Sequence, residues 1–119
     1  MSKPIRAIMI GDAQQAFDKL NIIAGEQLKE GKTNSDEIQL LNSIKQKVEL
    51  LKQNPFYGDN IKKDQIPKTL NVTNLWRVEL SQYWRMLYTI KGDNIEIVCL
   101  ILNIIDHERY DKLFGYRKK

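Results

Sequence analysis

The sequence predicts one α+β domain: an N-terminal strand, an antiparallel helix hairpin, an antiparallel three-stranded meander completing a small sheet, and a short C-terminal helical segment. Two observations carry this prediction. Apolar residues recur at helical spacing from Ala13 to Leu51, then alternate with polar ones from Trp76 onward. Gly11-Asp12, Gly31, Asn54-Pro55 and Lys91-Gly92-Asp93-Asn94 punctuate the chain between those stretches. With 119 residues there is material for one core and not for two, so 1–119 is read as a single domain.

Residues Ile5 to Ile10 form a short apolar run ended by Gly11-Asp12, a first strand. Asp12 is expected to cap the helix that follows, with Gln15 completing a capping box. Its buried stripe is Ala13, Ala16, Phe17, Leu20, Ile23, Ala24 and Leu28, and Gly31 stands just past its end. A second helix is expected from around Thr33-Asn34-Ser35, with Asn34 and Glu37 as its capping pair. Ile38, Leu41, Ile44, Val48 and Leu51 form its stripe, and Asn54-Pro55 stops it. The stretch Phe56 to Asn74, broken by Gly58 and Pro67, reads as an ordered loop or a short irregular strand. Ile95 to Ile105 is almost continuously apolar, as in a strand covered on both faces.

The hairpin register can be reasoned out. Trp76, Val78 and Leu80 form one apolar row; Trp84, Met86, Tyr88 and Ile90 form another. For both rows to share a face, Leu80 must oppose Trp84 across the odd-numbered loop Ser81-Gln82-Tyr83. That parity sets Glu79 opposite Arg85, with Arg77 further along the same face. An ordinary cross-strand ion pair on a solvated surface is the plain alternative. Trp76, Trp84 and Tyr88 belong to the apolar row and are read as core.

Composition excludes several classes. Charged residues make up 29%, and no apolar run reaches the roughly 20 residues of a membrane helix. The apolar part of MSKPIRAIMIGD is too short for a signal peptide, so the chain is expected to stay in the cytoplasm. Cys99 is the single cysteine, which rules out an internal disulfide, and in IEIVCLIL it reads as a buried strand residue. One cysteine and one histidine cannot build a zinc site, and no glycine-rich phosphate loop is present, so neither metal nor cofactor is expected. Net charge is +4. The excess lies after Glu108, where Arg109, Lys112, Arg117, Lys118 and Lys119 face only Asp111. Such a patch suits an anionic partner, or is simply a solvated basic tail.

The order strand, two helices, meander and C-terminal element resembles that of the RelE/ParE toxin superfamily. The residues agree: Asn54-Pro55, Gly58 and Ile61-Lys62-Lys63 resemble the loop leaving the second helix. Leu75-Trp76-Arg77-Val78-Glu79-Leu80 and Trp84-Arg85-Met86-Leu87-Tyr88 resemble the central hairpin. His107-Glu108-Arg109-Tyr110-Asp111 resembles the closing histidine-to-tyrosine signature, especially of HigB-like members. Three departures stand out: the connection from Lys63 to Leu75 is long, Glu79 replaces a second basic residue, and Ser81-Gln82-Tyr83 lacks a glycine.

The resemblance implies the toxin component of a type II toxin–antitoxin system, a ribosome-associated, metal-independent mRNA endoribonuclease (mRNA interferase) that inhibits translation. RNA cleavage by its own 2′-hydroxyl requires loss of the 2′ proton, stabilisation of a charged phosphorane, and protonation of the departing 5′ oxygen. Arg77 and Arg85 would hold the phosphate, since the guanidinium fork matches its oxygens and stays charged. His107 would serve as acid or base near neutrality. Tyr110, on the same face if the segment is helical, would stack on a base, hold substrate or donate a proton. Glu79 is a further candidate base, weakened by pairing with Arg85. Lys62, Lys63, Lys112, Arg117, Lys118 and Lys119 would attract RNA phosphates. Arg77, Arg85 and His107 are thus expected around one phosphate-sized hollow. The partners implied are mRNA, the ribosome and a cognate antitoxin, with one toxin copy in a hetero-oligomer and no membrane. A DNA gyrase inhibitor of the ParE kind, or an inactive binding protein on the same scaffold, stays open as an alternative.

Overall fold

A computed structural model of the protein describes residues 3–115. In chain order the elements are β1 (Ile5–Met9), α1 (Gly11–Lys29), α2 (Asp36–Gln53), β2 (Asp59–Asn60), β3 (Trp76–Glu79), β4 (Arg85–Gly92), β5 (Ile97–Ile105) and α3 (His107–Phe114). The strands form one five-stranded sheet in the order β1-β5-β4-β3-β2. The meander β3-β4-β5 is antiparallel, β1 joins β5 in parallel, and β2 extends the opposite edge. The Phe56–Asn74 stretch is therefore ordered: β2 is its short strand, and two single 3₁₀ turns, Lys63–Gln65 and Lys68–Leu70, follow.

Both helix starts differ from the expected caps. Gly11, at a φ of 49°, turns the chain directly out of β1, so α1 begins one residue before Asp12 and the cap position falls on Ile10. Asp12 sits inside the first turn, where its charge complements the helix dipole without capping it. The α2 cap is Ser35, one residue after Asn34; its Oγ accepts a hydrogen bond from the Ile38 amide at 3.1 Å. Glu37 is drawn into a clasp between the helices instead. Gln27 Nε2 donates to it at 2.8 Å, and the Ser35 hydroxyl bonds Gln27 Oε1.

The helix hairpin covers one face of the sheet. Ala13, Leu40, Ile44 and Leu51 pack there against Val78, Met86, Tyr88, Cys99, Ile101 and Ile104, with Trp76 and Trp84 partly buried at the border. Leu28 leaves the expected stripe: it is 52% exposed, because the inter-helix cluster of Ala24, Ile38 and Leu41 ends one turn short of it. The other face is not a bare surface. Leu75, Leu87 and Tyr110 form a second core under α3 and the 61–72 loop, joined by Leu102 and Ile105. This explains why β5 is apolar on both sides.

Burial holds two ionisable core groups neutral: it pushes the Tyr88 phenol up to about 12 and the Cys99 thiol up to about 11. Between the ordinary values and these, the unfolded chain has lost protons that the native chain still holds. Stability must then fall as pH rises from about 9 toward 12. Urea midpoints measured across that range should drop, and Tyr88→Phe should flatten the decline; an unchanged slope in that variant would refute the assignment to Tyr88.

Candidate functional site

The β3–β4 register is the one that the apolar rows require. Glu79 pairs with Arg85, Val78 with Met86, and the Leu80 amide donates to the Trp84 carbonyl at 2.8 Å. The turn Ser81-Gln82-Tyr83 closes the hairpin with Gln82 and Tyr83 both left-handed, at φ 60° and 62°. Each such non-glycine residue costs about 1–2 kcal/mol. Alternation then sets Arg77, Glu79 and Arg85 on the face away from the helix hairpin.

Tyr110 organises these side chains. Asp106 caps α3 by accepting from the Arg109 amide at 2.9 Å, and the helix lays Tyr110 onto the sheet, 3% exposed. Arg77 Nη1 donates to the Tyr110 hydroxyl at 2.9 Å. The Arg85 guanidinium carbon lies 4.6 Å from the centroid of the same ring, within cation–π range, and Phe114 stacks on that ring at 4.3 Å. With its ring packed this way, Tyr110 is no base-stacking surface; its hydroxyl is what it offers. Burial opposes the charge on Arg77, yet the bonds to Tyr110 and Asp59 and the nearby Glu79 outweigh it and lift its pKa above the ordinary arginine value.

Glu79 sits between the two arginines, with Oε1 at 3.7 Å from Arg77 Nε and Oε2 at 3.5 Å from Arg85 Nε. These contacts compensate charge but are not hydrogen bonds. Arg85 Nε and Nη1 are buried with no hydrogen-bond partner among the described residues. Asn103 Oδ1 is likewise unpartnered. Its pairing with Leu87, beside the β-bulge at Leu87/Tyr88, puts it on the arginine face. Sequence reasoning missed Asn103; the available signal was one amide inside an apolar strand.

The other expected residues are distributed more widely. His107, the first residue of α3, is exposed, and its ring meets Tyr83 edge-on at 6.2 Å. No hydrogen bond or ion pair joins it to either arginine among the described residues. A hollow of about 160 Å³ takes in Arg77 and Glu79 with Lys47, Tyr57 and Asp59, but not Arg85 or His107. A larger one, about 470 Å³, opens between the helix hairpin and the turn, and is lined in part by Trp84, Asp106 and Arg109. The structure thus brings Arg77, Arg85 and Tyr110 together, whereas His107 stands against Tyr83 and not among them. Lys62, Lys63 and Lys112 are exposed, whereas Arg117, Lys118 and Lys119 lie outside the described residues. No described helix is long and apolar enough to cross a membrane.

Tyr110→Phe should keep the ring under Arg85 and remove the acceptor for Arg77. A loss of about 1 kcal/mol is expected from urea unfolding. A larger loss is expected for Tyr110→Ala, which also empties the ring site; equal losses would show that the ring packing contributes nothing, and an unchanged midpoint in Tyr110→Phe that the hydroxyl contributes nothing.

Element order, sheet topology and the placement of α3 over the meander define a protein with the RelE/ParE-like fold. The chain is similar in structure to the YoeB/ParE toxin from Agrobacterium tumefaciens, with a TM-score of 0.58 and 11% sequence identity over 86% of this chain and 98% of that one. By sequence, it matches no family model and no curated protein.

Proposed function

We propose that the chain is the toxin of a type II toxin–antitoxin pair and acts as a metal-independent, ribosome-associated mRNA endoribonuclease. The observation that carries this reading is the pair Arg77 and Arg85 on one sheet face, with Arg85 keeping buried donors that no acceptor among the described residues satisfies. In the proposed reaction the 2′ oxygen bonds to phosphorus, and the bond from phosphorus to the 5′ oxygen breaks. A 2′,3′-cyclic phosphate and a 5′-hydroxyl result. The two guanidinium groups take the charge that builds on the phosphorane oxygens. Glu79, 57% exposed and in contact with both arginines, accepts the 2′ proton. His107, one turn before Tyr110 on the same helix, returns a proton to the 5′ oxygen. The basic residues Lys62, Lys63 and Lys112 supply nonspecific attraction to RNA.

The partners that follow are mRNA on the ribosome and an antitoxin that covers the site. Inducible expression followed by transcript-end mapping tests the reading. Growth arrest with new transcript ends supports it, provided that Arg85→Ala removes both. Chromosomal breaks with intact transcripts would point to gyrase instead. One observation favours a second reading, a binding protein without catalysis: Glu79 already offsets the arginine charge. Wild-type growth effects that persist in Arg85→Ala and His107→Ala would select it.

A further inference from the structure

The turn Ser81-Gln82-Tyr83 has an unusual construction. Two successive non-glycine residues, Gln82 and Tyr83, stand in the left-handed region, where glycine would relieve the strain. The turn is also held firmly. The Ser81 amide donates to Ser43 Oγ at 3.1 Å, Gln82 Nε2 donates to Gln39 Oε1 at 3.1 Å, and the Trp84 amide donates to the Ser81 carbonyl at 3.2 Å. What this anchored turn displays is Tyr83, 77% exposed, the most exposed large hydrophobic residue among the described residues. Strain that persists in an over-determined setting tends to mark a functional position.

The ring's location supplies the second half of the argument. Tyr83 meets His107 with ring centroids 6.2 Å apart and planes at 69°, an edge contact that leaves aromatic surface open to solvent. Tyr110 has no open ring face to give a base, because Arg85 and Phe114 pack against it. Unpaired RNA bases are gripped chiefly by stacking on aromatic rings. A base resting on Tyr83 would hold its own nucleotide beside the imidazole, which otherwise stands apart from the arginines. A protein partner could also use an exposed tyrosine, but it would not account for the placement against the single histidine.

We propose that Tyr83 is a nucleobase-stacking residue that takes an unpaired base of single-stranded RNA and seats its nucleotide next to His107. This rests on the ribonuclease reading above and adds a substrate-contacting residue to it.

The test uses the full chain with a single-stranded RNA oligonucleotide, ribosomes being added for the cleavage assays, and a copy carrying 2′-deoxyribose at the cleavage position for binding alone. Tyr83→Ala should weaken binding of the deoxy copy and raise KM by roughly 5- to 100-fold, the range for loss of one stacked base. Turnover, kcat, should fall as well, because the nucleotide is no longer seated beside the imidazole. Tyr83→Trp and Tyr83→Phe should restore binding, which a merely structural turn residue would not require. Unfolding midpoints of all variants establish that they are folded. If wild type cleaves RNA and Tyr83→Ala matches it in KM and binding, the stacking role is overturned and the nuclease reading stands. If wild type cleaves nothing even with ribosomes present yet binds the oligonucleotide through Tyr83, the stacking role survives and the nuclease reading falls. Loss of antitoxin binding in Tyr83→Ala with RNA binding intact assigns the ring to a protein interface and overturns the proposal.

Discussion

On the proposed ribonuclease reading, Arg85→Ala is expected to lower the rate of RNA cleavage by roughly 10²- to 10³-fold, the loss that follows removal of one preorganised charge-stabilising donor. The argument rests on where the guanidinium is held. Its side chain is 22% exposed, packed against the Tyr110 ring at 4.6 Å, and its Nε and Nη1 have no hydrogen-bond partner among the described residues. A donor group desolvated in advance reorganises little when phosphorane charge develops beside it. Stability should respond differently. Removing the side chain forfeits a cation–π contact of about 0.5–2 kcal/mol but also removes buried, unpartnered donors, so the two effects oppose each other. A large kinetic loss with a small shift in the unfolding midpoint is therefore the expected signature. Arg85→Lys should recover only part of the rate, because an ammonium keeps the charge without the planar fork or the ring contact. Cleavage by Arg85→Ala at the wild-type rate would remove the arginine from the mechanism.

Gly58→Ala should destabilise the fold by about 1–3 kcal/mol, the usual range for overpacking. A Cβ at this position would lie 2.8 Å from the Arg77 carbonyl oxygen, 2.9 Å from Tyr88 Oη and 3.0 Å from Tyr88 Cε1. Neither neighbour can move cheaply. The carbonyl belongs to β3, and Tyr88 is fully buried, with its hydroxyl donating to the Pro55 carbonyl at 2.7 Å and accepting from the Gly58 amide at 3.0 Å. Relief would push β2 away from β3 and disturb the backbone that carries Arg77, so cleavage should weaken together with stability. Tyr88→Phe removes the hydroxyl from the clash but not the carbonyl. The double variant should accordingly lose less than the two single losses added. Denaturant midpoints of the four proteins measure this, and an unchanged midpoint in Gly58→Ala would show that the loop is not tightly seated.

The elements and the hairpin register were legible in the residues because both follow from local periodicity. The two apolar rows beginning at Trp76 and Trp84 tolerate one pairing only, since a slip by one residue would turn every side chain to the wrong face. That parity set Glu79 against Arg85. Helix caps were less legible. Asn34 and Ser35 are both good capping residues, and the choice between them depended on Gln27 from the neighbouring helix engaging Ser35 and Glu37. The Asp12 assignment failed for a backbone reason, the left-handed turn at Gly11.

What the sequence determined alone was the α+β order, the helical stripes, the meander and the pairing that puts two arginines and a glutamate on one sheet face. Periodicity acts between near neighbours, so it can be read without coordinates. The tertiary structure decided what covers that face. Only the docking of α3 shows that Tyr110 is packed against Arg85 and Phe114 and hydrogen-bonded by Arg77, and that His107 turns toward Tyr83. Contacts between residues some thirty positions apart depend on how a helix settles on a sheet, and packing across layers leaves no period in the chain.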